Sequence, residues 1–194
     1  MSTAEKRFIS PQEYLSIERA AEIRHEYYNG QMFAMSGATR AHNLIAGNIF
    51  ALFREQFAGR DCEAYQADMR VKVDRKGLYT YPDVVTACDS PEFEDDEFDT
   101  LVNPRVIVEV LSKSTEDYDR GTKFEMYRRL PSLQDYVLVA QDKMHIEHFQ
   151  RQPDGRWILE EFDTPDRTLA FETSNCILQV ADVYTKVSFN TEAK

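Results

Sequence analysis

The stretch RVIVEVLS, residues 105–112, has valine or isoleucine at four of the five positions after Arg105. A run of this kind is typical of a strand covered on both faces, so we expect it at the centre of a sheet. Glu109 interrupts the run. Because a buried carboxylate is costly unless it is paired or bound to a metal, this residue requires an explanation.

A second acid, Asp83, stands in the apolar segment YPDVVTAC, residues 81–88. If this segment and RVIVEVLS form neighbouring strands, Asp83 and Glu109 converge, and they repel unless a cation lies between them. Mg²⁺ suits such a site, since it prefers oxygen ligands and often uses one or two carboxylates. A bound cation polarises a phosphodiester and activates water. The alternatives are a turn role for Asp83 and a structural salt bridge for Glu109.

A positive group near the attacking water would complete such a site. Lys123 follows Glu109 by 14 residues in a predicted helix, where Asp119, Lys123 and Tyr127 recur at every fourth position and share one face. Lys113 is the competitor, because alternation places it on the strand face of Glu109. The alternative for Lys123 is a solvated helix residue paired with Asp119.

The surrounding segments predict helices and further strands. Ser10 and Pro11 fit the start of a helix, and Asn29-Gly30 indicates a hairpin with Glu26 on its first strand. Further predictions are a helix across residues 39–59 capped by Gly59, a strand over 78–88, a helix from a capping box at Ser114 to Leu130, and a meander of strands over 133–162. His42, near the start of the second helix, is either a capping histidine or a substrate-side group.

The order of these elements predicts an α/β (α+β) fold with helices flanking a mixed sheet, preceded by an N-terminal helix and hairpin. We expect a single domain over residues 1–194, with a frayed tail from about residue 187. The chain has neither a secretory signal pattern nor an apolar run long enough to span a membrane, so we expect a cytoplasmic protein. Three cysteines without C-x-x-C spacing predict reduced, mostly buried thiols.

The 194 residues carry a formal net charge of -11, which disfavours a polyanionic partner. Six of the acids lie in EFEDDEFD, residues 92–99, which we interpret as a solvated loop. Basic surface remains available around Arg120, Lys123, Arg128 and Arg129.

Several segments together resemble a known family: HEYYNGQMFAMSGATRAHNLIAGNI, YPDVV, VIVEVLSKST, DRGTKFEMY and LPSLQDYVLV. They are similar to the Uma-two family of restriction-endonuclease-like proteins, within the PD-(D/E)XK nuclease superfamily, and the likeness spans about residues 8–150. It implies a mixed sheet with flanking helices, Asp83 and Glu109 as metal-binding acids, DNA hydrolysis dependent on Mg²⁺ or Mn²⁺, and a homodimer. Lys123 fits the displaced catalytic lysine of such proteins, and Glu26 an auxiliary acid.

The sequence departs from the superfamily pattern at Leu111, where the standard motif has lysine. Activity therefore depends on Lys123 taking that role. The leading hypothesis is a magnesium-dependent endonuclease acting on DNA. Two alternatives stay open: a catalytically weak or inactive dimeric module for binding or scaffolding, and a metal-dependent hydrolase of small phosphorylated molecules.

Overall fold

The computed structural model describes residues 7–73 and 77–189 and has a mixed α and β architecture. The elements in chain order are α1 (Pro11–Ala20), β1 (His25–Tyr28), β2 (Gln31–Ala34), α2 (Arg40–Gln56), β3 (Cys62–Gln66), β4 (Arg70–Lys72), β5 (Tyr79–Thr80), β6 (Val84–Cys88), β7 (Thr100–Leu101), β8 (Val106–Leu111), α3 (Glu116–Tyr118), a π-helical turn (Asp119–Lys123), α4 (Phe124–Tyr127), β9 (Asp135–Ala140), β10 (Ile146–Arg151), β11 (Trp157–Phe162), β12 (Thr168–Phe171), a 3₁₀ turn (Glu172–Ser174), β13 (Cys176–Gln179) and α5 (Val180–Val183).

The central sheet has six strands in the order β11-β10-β9-β8-β6-β3. Only β8 and β9 run parallel within it, and the other neighbours are antiparallel. All six residues of β8 are buried, which confirms the central strand predicted from RVIVEVLS. The meander predicted over residues 133–162 is also confirmed, as β9, β10 and β11.

Apolar side chains cover both faces of the central sheet. On one face α2 buries Ile45, Ile49 and Phe53 in a cluster that includes Val84 and Val108. On the other face α4 contributes residues such as Tyr127 to a second cluster with Val85, Ile107 and Tyr136. Because side chains alternate along β6 and β8, each strand supplies both clusters. The predicted mixed sheet with flanking helices is confirmed.

A second sheet of five strands, in the order β2-β1-β5-β4-β7, carries the predicted hairpin. Asn29 and Gly30 have φ angles of 47° and 82°, as the two central residues of a tight hairpin turn require. The N-terminal helix is confirmed as well, since the Glu13 amide donates to Ser10 Oγ at 3.2 Å and Pro11 is the first helical residue.

Two helix boundaries differ from the sequence prediction. Helix α2 ends at Gln56, so Gly59 lies in the following turn and does not cap it. Helix α3 begins after Thr115, with no side-chain cap, so the capping box at Ser114 does not form. Instead the Ser114 hydroxyl bonds to that of Ser112 at 3.0 Å. Short hydroxyl side chains compete for local bonds in this way.

The single strand predicted over residues 78–88 is two strands in different sheets. It breaks at Pro82, which has no N–H to donate to a ladder. Asp83 follows, and its Oδ2 accepts a hydrogen bond from the backbone amide of Val110 at 2.7 Å. A carboxylate thereby replaces a backbone carbonyl where β6 approaches β8.

The prediction of reduced cysteines is wrong for two of the three. Cys62 and Cys88 are opposite each other in the β3–β6 register and form a disulfide, whereas Cys176 is free and buried. The pairing depends on the antiparallel register of two strands that are 26 residues apart. No local spacing pattern encodes it.

A polar network that is only partly buried surrounds Arg70; we call it the Arg70 network, and it comprises Glu18, Arg19, His25, Arg70, Tyr81, Asp95 and Asp99. Arg70 contacts Asp99 at 2.7 Å and Tyr81 Oη at 3.0 Å, and Tyr81 donates in turn to Glu18 at 3.0 Å. Arg19 joins Asp99 to Asp95, in the acidic tract predicted to be a solvated loop. Lys72 contacts a third acid of the tract, Glu94, at 2.5 Å, so three of its six acids are fixed by ion pairs.

The C-terminal segment packs on the core as far as it is described. Val187 and Phe189 contact the α2 cluster, and the Phe189 ring meets Tyr184. The rest of the expected frayed tail, residues 190–194, lies outside the described residues. Within the described ranges, no helix is both long and apolar enough to cross a membrane.

Candidate active site

Asp83, directly before β6, and Glu109 of β8 lie at neighbouring positions. Val84 of β6 pairs with Val108 of β8, and one further step in the antiparallel register brings Asp83 across from Glu109. Directly opposed residues share a sheet face, with Cβ atoms about 5 Å apart. The amide of Val110 and His42 Nε2, at 2.7 and 3.1 Å, both contact Asp83 Oδ2 and so fix its carboxylate.

Lys123 is buried against Glu109. Its Nζ lies 2.8 Å from Glu109 Oε1, and the two residues are only 5% and 4% exposed. Glu26 of the hairpin approaches the same Nζ at 3.1 Å, and Asp119 at 3.5 Å. The π-helical turn ends at this lysine, and π-turns inside helices are frequent at functional sites. Lys123 is therefore not a solvated helix residue.

Tyr127, one turn beyond Lys123, fixes the same carboxylate from the core side. Its hydroxyl donates to Glu109 Oε1 at 2.9 Å and bonds Thr80 Oγ1 at 2.8 Å. Glu109 Oε1 thus contacts both the Lys123 ammonium and the Tyr127 hydroxyl. Lys113, in contrast, is exposed in the turn after β8 and is not among the residues that line the cleft described next.

The five predicted residues other than Lys113 meet in one cleft of about 870 Å³. Its walls come from the hairpin, the start of α2, the ends of β6 and β8, and the helix at residues 116–127. The acids that line it are Glu26, Asp68, Asp83, Glu109 and Asp119. Among the described lining residues, Lys123 is the one lysine or arginine. The cleft therefore has a marked excess of negative charge.

This excess affects protonation. Burial raises the pKa of Glu109 to about 8, and the nearby Asp119 and Asp83 carboxylates act in the same direction against the opposing effect of Lys123. Burial alone would lower the pKa of Lys123, but Glu109, Tyr127, Glu26 and Asp119 raise it well above its usual value. The lysine therefore stays charged, and Glu109 holds a proton to higher pH than an exposed glutamate does.

Within residues 7–73 and 77–189, no group of three or more His, Cys, Asp or Glu side chains is arranged to hold a metal ion. The donors present nevertheless fit a two-carboxylate magnesium site. Asp83 and Glu109 are opposed acids in a cleft that is short of positive charge, and Mg²⁺ usually keeps several waters beside one or two carboxylates.

Sequence reasoning did not identify the full set of side chains around this site. Asp119 and Tyr127 share the helix face of Lys123, but their contacts inside the cleft with Lys123 and Glu109 do not follow from that spacing. Tyr28 and Phe33 of the hairpin line the cleft and were not identified. The available signal was alternation, since Glu26 and Tyr28 are two positions apart on a strand.

A mixed sheet with opposed acids at the ends of two adjacent central strands defines a nuclease-like class of fold, and the comparison with solved structures agrees. A protein from Anabaena variabilis ATCC 29413, described as a "putative nuclease belonging to DUF820", superimposes with a TM-score of 0.73 at 18% identity. The match covers 93% of this chain and 99% of that chain. At this identity the likeness concerns the fold.

Sequence comparison gives the particular family. The model of the Uma2 family, described as "Putative restriction endonuclease", matches residues 11–180, and the chain belongs to this family. Two relatives from Synechocystis sp. (strain ATCC 27184 / PCC 6803 / Kazusa) carry the names "Uncharacterized protein slr1290" and "Uncharacterized protein sll1609". The first is 38% identical over 82% of this chain and 83% of the relative. The second is 34% identical over 83% of this chain and 91% of the relative.

Proposed function

We propose that this protein is a metal-dependent endonuclease that hydrolyses DNA phosphodiester bonds, with Mg²⁺ or Mn²⁺ held by Asp83 and Glu109. The observation that carries the proposal is the contact of Lys123 Nζ with Glu109 at 2.8 Å, beside an opposed Asp83 in an open cleft. Family membership and the nuclease-like fold support the same reaction class. A cytoplasmic location and a homodimer stay predictions.

Each side chain has a defined task under this proposal. When bound, a divalent cation supplies charge neutralisation for the scissile phosphate and a water of lowered pKa. The Val110 amide fixes the Asp83 side chain through Oδ2, so the orientation of Oδ1 is set before a metal binds. Lys123 offers an ammonium to the developing negative charge. Tyr127 holds Glu109 at a fixed angle.

Glu26 and Asp119 position Lys123 in the proposed site. Their carboxylates, at 3.1 and 3.5 Å from Nζ, keep the ammonium charged and restrict its motion. His42 contacts Asp83 Oδ2 at 3.1 Å and lines the cleft, so it can bond either to this acid or to a phosphate oxygen. We therefore keep Glu26 and His42 as auxiliary groups.

The charge balance favours a second candidate function, a catalytically weak or inactive member that serves as a dimeric binding or scaffolding module. Phosphate neutralisation normally supplies much of the affinity for DNA, and this cleft has one ammonium among five acids. The basic surface predicted nearby is also partly neutralised, since Arg120 pairs with Glu116 and Glu147. Calorimetric titration with Mn²⁺ separates the two, because a degenerate site binds none.

The test of the endonuclease proposal is nicking of supercoiled plasmid by pure protein with Mg²⁺ or Mn²⁺. We expect wild type to nick and EDTA to stop it, and we expect Asp83→Ala and Lys123→Ala to lose activity. Lys113→Ala is the matched lysine control and should keep wild-type activity, because its side chain is exposed and lies outside the cleft.

Circular dichroism of each variant establishes that a loss of nicking is not a loss of fold. Equal nicking by wild type, Asp83→Ala and Lys123→Ala would show that the activity comes from elsewhere and would contradict the proposal. Loss of activity in Lys113→Ala with retention in Lys123→Ala would assign the lysine role to the strand residue instead.

A further inference from the structure

We propose that Tyr28 and Phe33 form a stacking platform for the nucleotide base adjacent to the scissile phosphate, and that the substrate is therefore single-stranded rather than duplex nucleic acid. The inference rests on the proposed function, because that function places the phosphate beside Lys123. It adds a substrate class and two substrate-contacting residues to the proposal.

The strand geometry places both rings on the same face of the hairpin as the Glu26 side chain. Tyr28 follows Glu26 by two positions on β1, and Phe33 is directly opposite Glu26 on β2. The other hairpin face is occupied, since Tyr27 and Met32 pack in a cluster with Tyr14. The face with the two rings borders the cleft.

The rings are accessible, and their backbone positions lie close to Glu26. Tyr28 is 37% exposed and Phe33 48% exposed, although both line a concave site. Two residues along a strand span about 7 Å, so the Tyr28 backbone lies one such step from Glu26, which contacts Lys123. The diagonal between Tyr28 and Phe33 is also about 7 Å, twice the ~3.4 Å rise of stacked bases.

The accessible rings decide between duplex and single strand. Proteins hold duplex DNA largely through cations on phosphates, and Lys123 is the one lysine or arginine among the described residues of this cleft. Stacking of a base on an aromatic ring adds to the phosphate contact of Lys123 and tolerates any base. A duplex keeps its bases stacked internally, so only an unpaired strand presents a base face to Tyr28 and Phe33.

The experiment measures fluorescence anisotropy of labelled 12-nucleotide probes in EDTA, where binding is separated from cleavage. The probes are single-stranded oligothymidylate, the same oligomer with uncharged methylphosphonate linkages, and a 12-base-pair duplex. We expect the single strand to bind more tightly than the duplex. The methylphosphonate oligomer should bind at least as tightly as its natural counterpart, because its linkages are not repelled by the acids.

Tyr28→Ala and Phe33→Ala should each weaken binding of the single strand about 5- to 150-fold, the usual range for loss of one base–aromatic stack. Phe33→Trp should retain it. Phe98→Ala is the matched control, since Phe98 is 64% exposed and lies outside the cleft lining, and it should bind as wild type does. Thermal melts confirm that each variant is folded.

The inference is overturned by unchanged affinity in both alanine variants, by tighter binding of the duplex, or by no binding of any probe. Its failure is distinguishable from failure of the endonuclease proposal. If binding depends on Tyr28 and Phe33 but no metal-dependent nicking is seen, the stacking platform stands and the endonuclease proposal fails. Metal-dependent nicking together with binding that does not depend on the two rings would keep the nuclease activity and remove the platform.

Discussion

The candidate cleft and the Arg70 network both bury ionic side chains, but they balance charge differently. In the Arg70 network two arginines meet the aspartates, as Arg70 contacts Asp99 at 2.7 Å and Arg19 contacts Asp95 at 2.7 Å. In the cleft one ammonium, that of Lys123, faces several carboxylates. The network encloses little space, whereas the cleft has a volume of about 870 Å³.

The pKa values of two acids express the same difference. Hydrogen bonds from Arg19 and Arg70 hold the pKa of Asp99 well below its usual range despite some burial. Burial holds the pKa of Glu109 above its usual range even with Lys123 beside it. Acids paired with arginines are typical of a structural network, while acids that outnumber the cations beside open space mark a candidate functional site. Buried charge alone does not distinguish the two.

The largest expected effect comes from exchanging one acid in each region. Glu109→Gln should lower nicking activity on the order of 10³-fold, because it removes a proposed metal ligand, while the free energy of unfolding changes little. The substitution is isosteric and removes a group whose ionised form burial opposes. Plasmid nicking rates and urea unfolding measure the two quantities.

Glu18→Gln is the matched exchange in the Arg70 network. It should leave nicking unchanged and reduce the free energy of unfolding by about 1–3 kcal/mol, since Glu18 is fully buried and accepts bonds from Tyr81 and the His25 amide. If instead Glu18→Gln abolished activity while Glu109→Gln only destabilised the fold, the distinction between the two regions would be reversed.

Removing the cation from each region gives the next effect. Arg70→Met should cost about 3 kcal/mol of unfolding free energy at any pH between 7 and 9.5, because its acid partner stays ionised throughout. Lys123→Met should show a deficit that widens with pH above about 8. Wild-type Glu109 ionises there beside Lys123, whereas the variant must either retain the proton or bury an unpaired charge.

The sign follows from proton linkage. The folded variant binds a proton that the unfolded chain has released, so its stability falls relative to wild type by at most about 1.4 kcal/mol per pH unit. Urea unfolding of both variants at pH 7 and pH 9.5 checks the prediction. A constant deficit for Lys123→Met would mean that Glu109 has the same protonation state in both proteins from pH 7 to pH 9.5 and would contradict the prediction.

The smallest expected effect is on metal affinity in the wild-type protein. Because the pKa of Glu109 is raised to about 8, a metal must displace its proton below that pH. Affinity for Mn²⁺ should rise about tenfold per pH unit toward pH 8 and level off above it. Titration calorimetry in two buffers of different ionisation enthalpy measures both the affinity and the released proton. Affinity independent of pH with no proton release would remove Glu109 from the site.

The sequence predicts this fold well where local chemistry determines it. The apolar run of β8, the Asn29-Gly30 hairpin and the Ser10 cap each act over a few residues, and each is confirmed. The contact of Glu109 with Lys123 is also accessible, because a strand and the helix that follows it are adjacent in space.

What the sequence does not encode locally is the pairing of distant segments. The approach of Glu26 to Lys123 requires the hairpin to fold over the end of the central sheet. The Cys62–Cys88 pair requires the β3–β6 register. The hydrogen bond from the Val110 amide to the Asp83 carboxylate requires β6 and β8 to be adjacent. These contacts depend on tertiary packing, which periodicity and capping patterns do not determine.

The disulfide between Cys62 and Cys88 also encloses the chain segment that contains Asp83. A protease that nicks the backbone once within this loop leaves both fragments in one covalent molecule. Such a clipped protein migrates intact on a non-reducing gel and separates into two pieces when a thiol is added. Paired gels therefore identify cleavage inside the loop without sequencing, and they reveal whether a given preparation carries the crosslink at all.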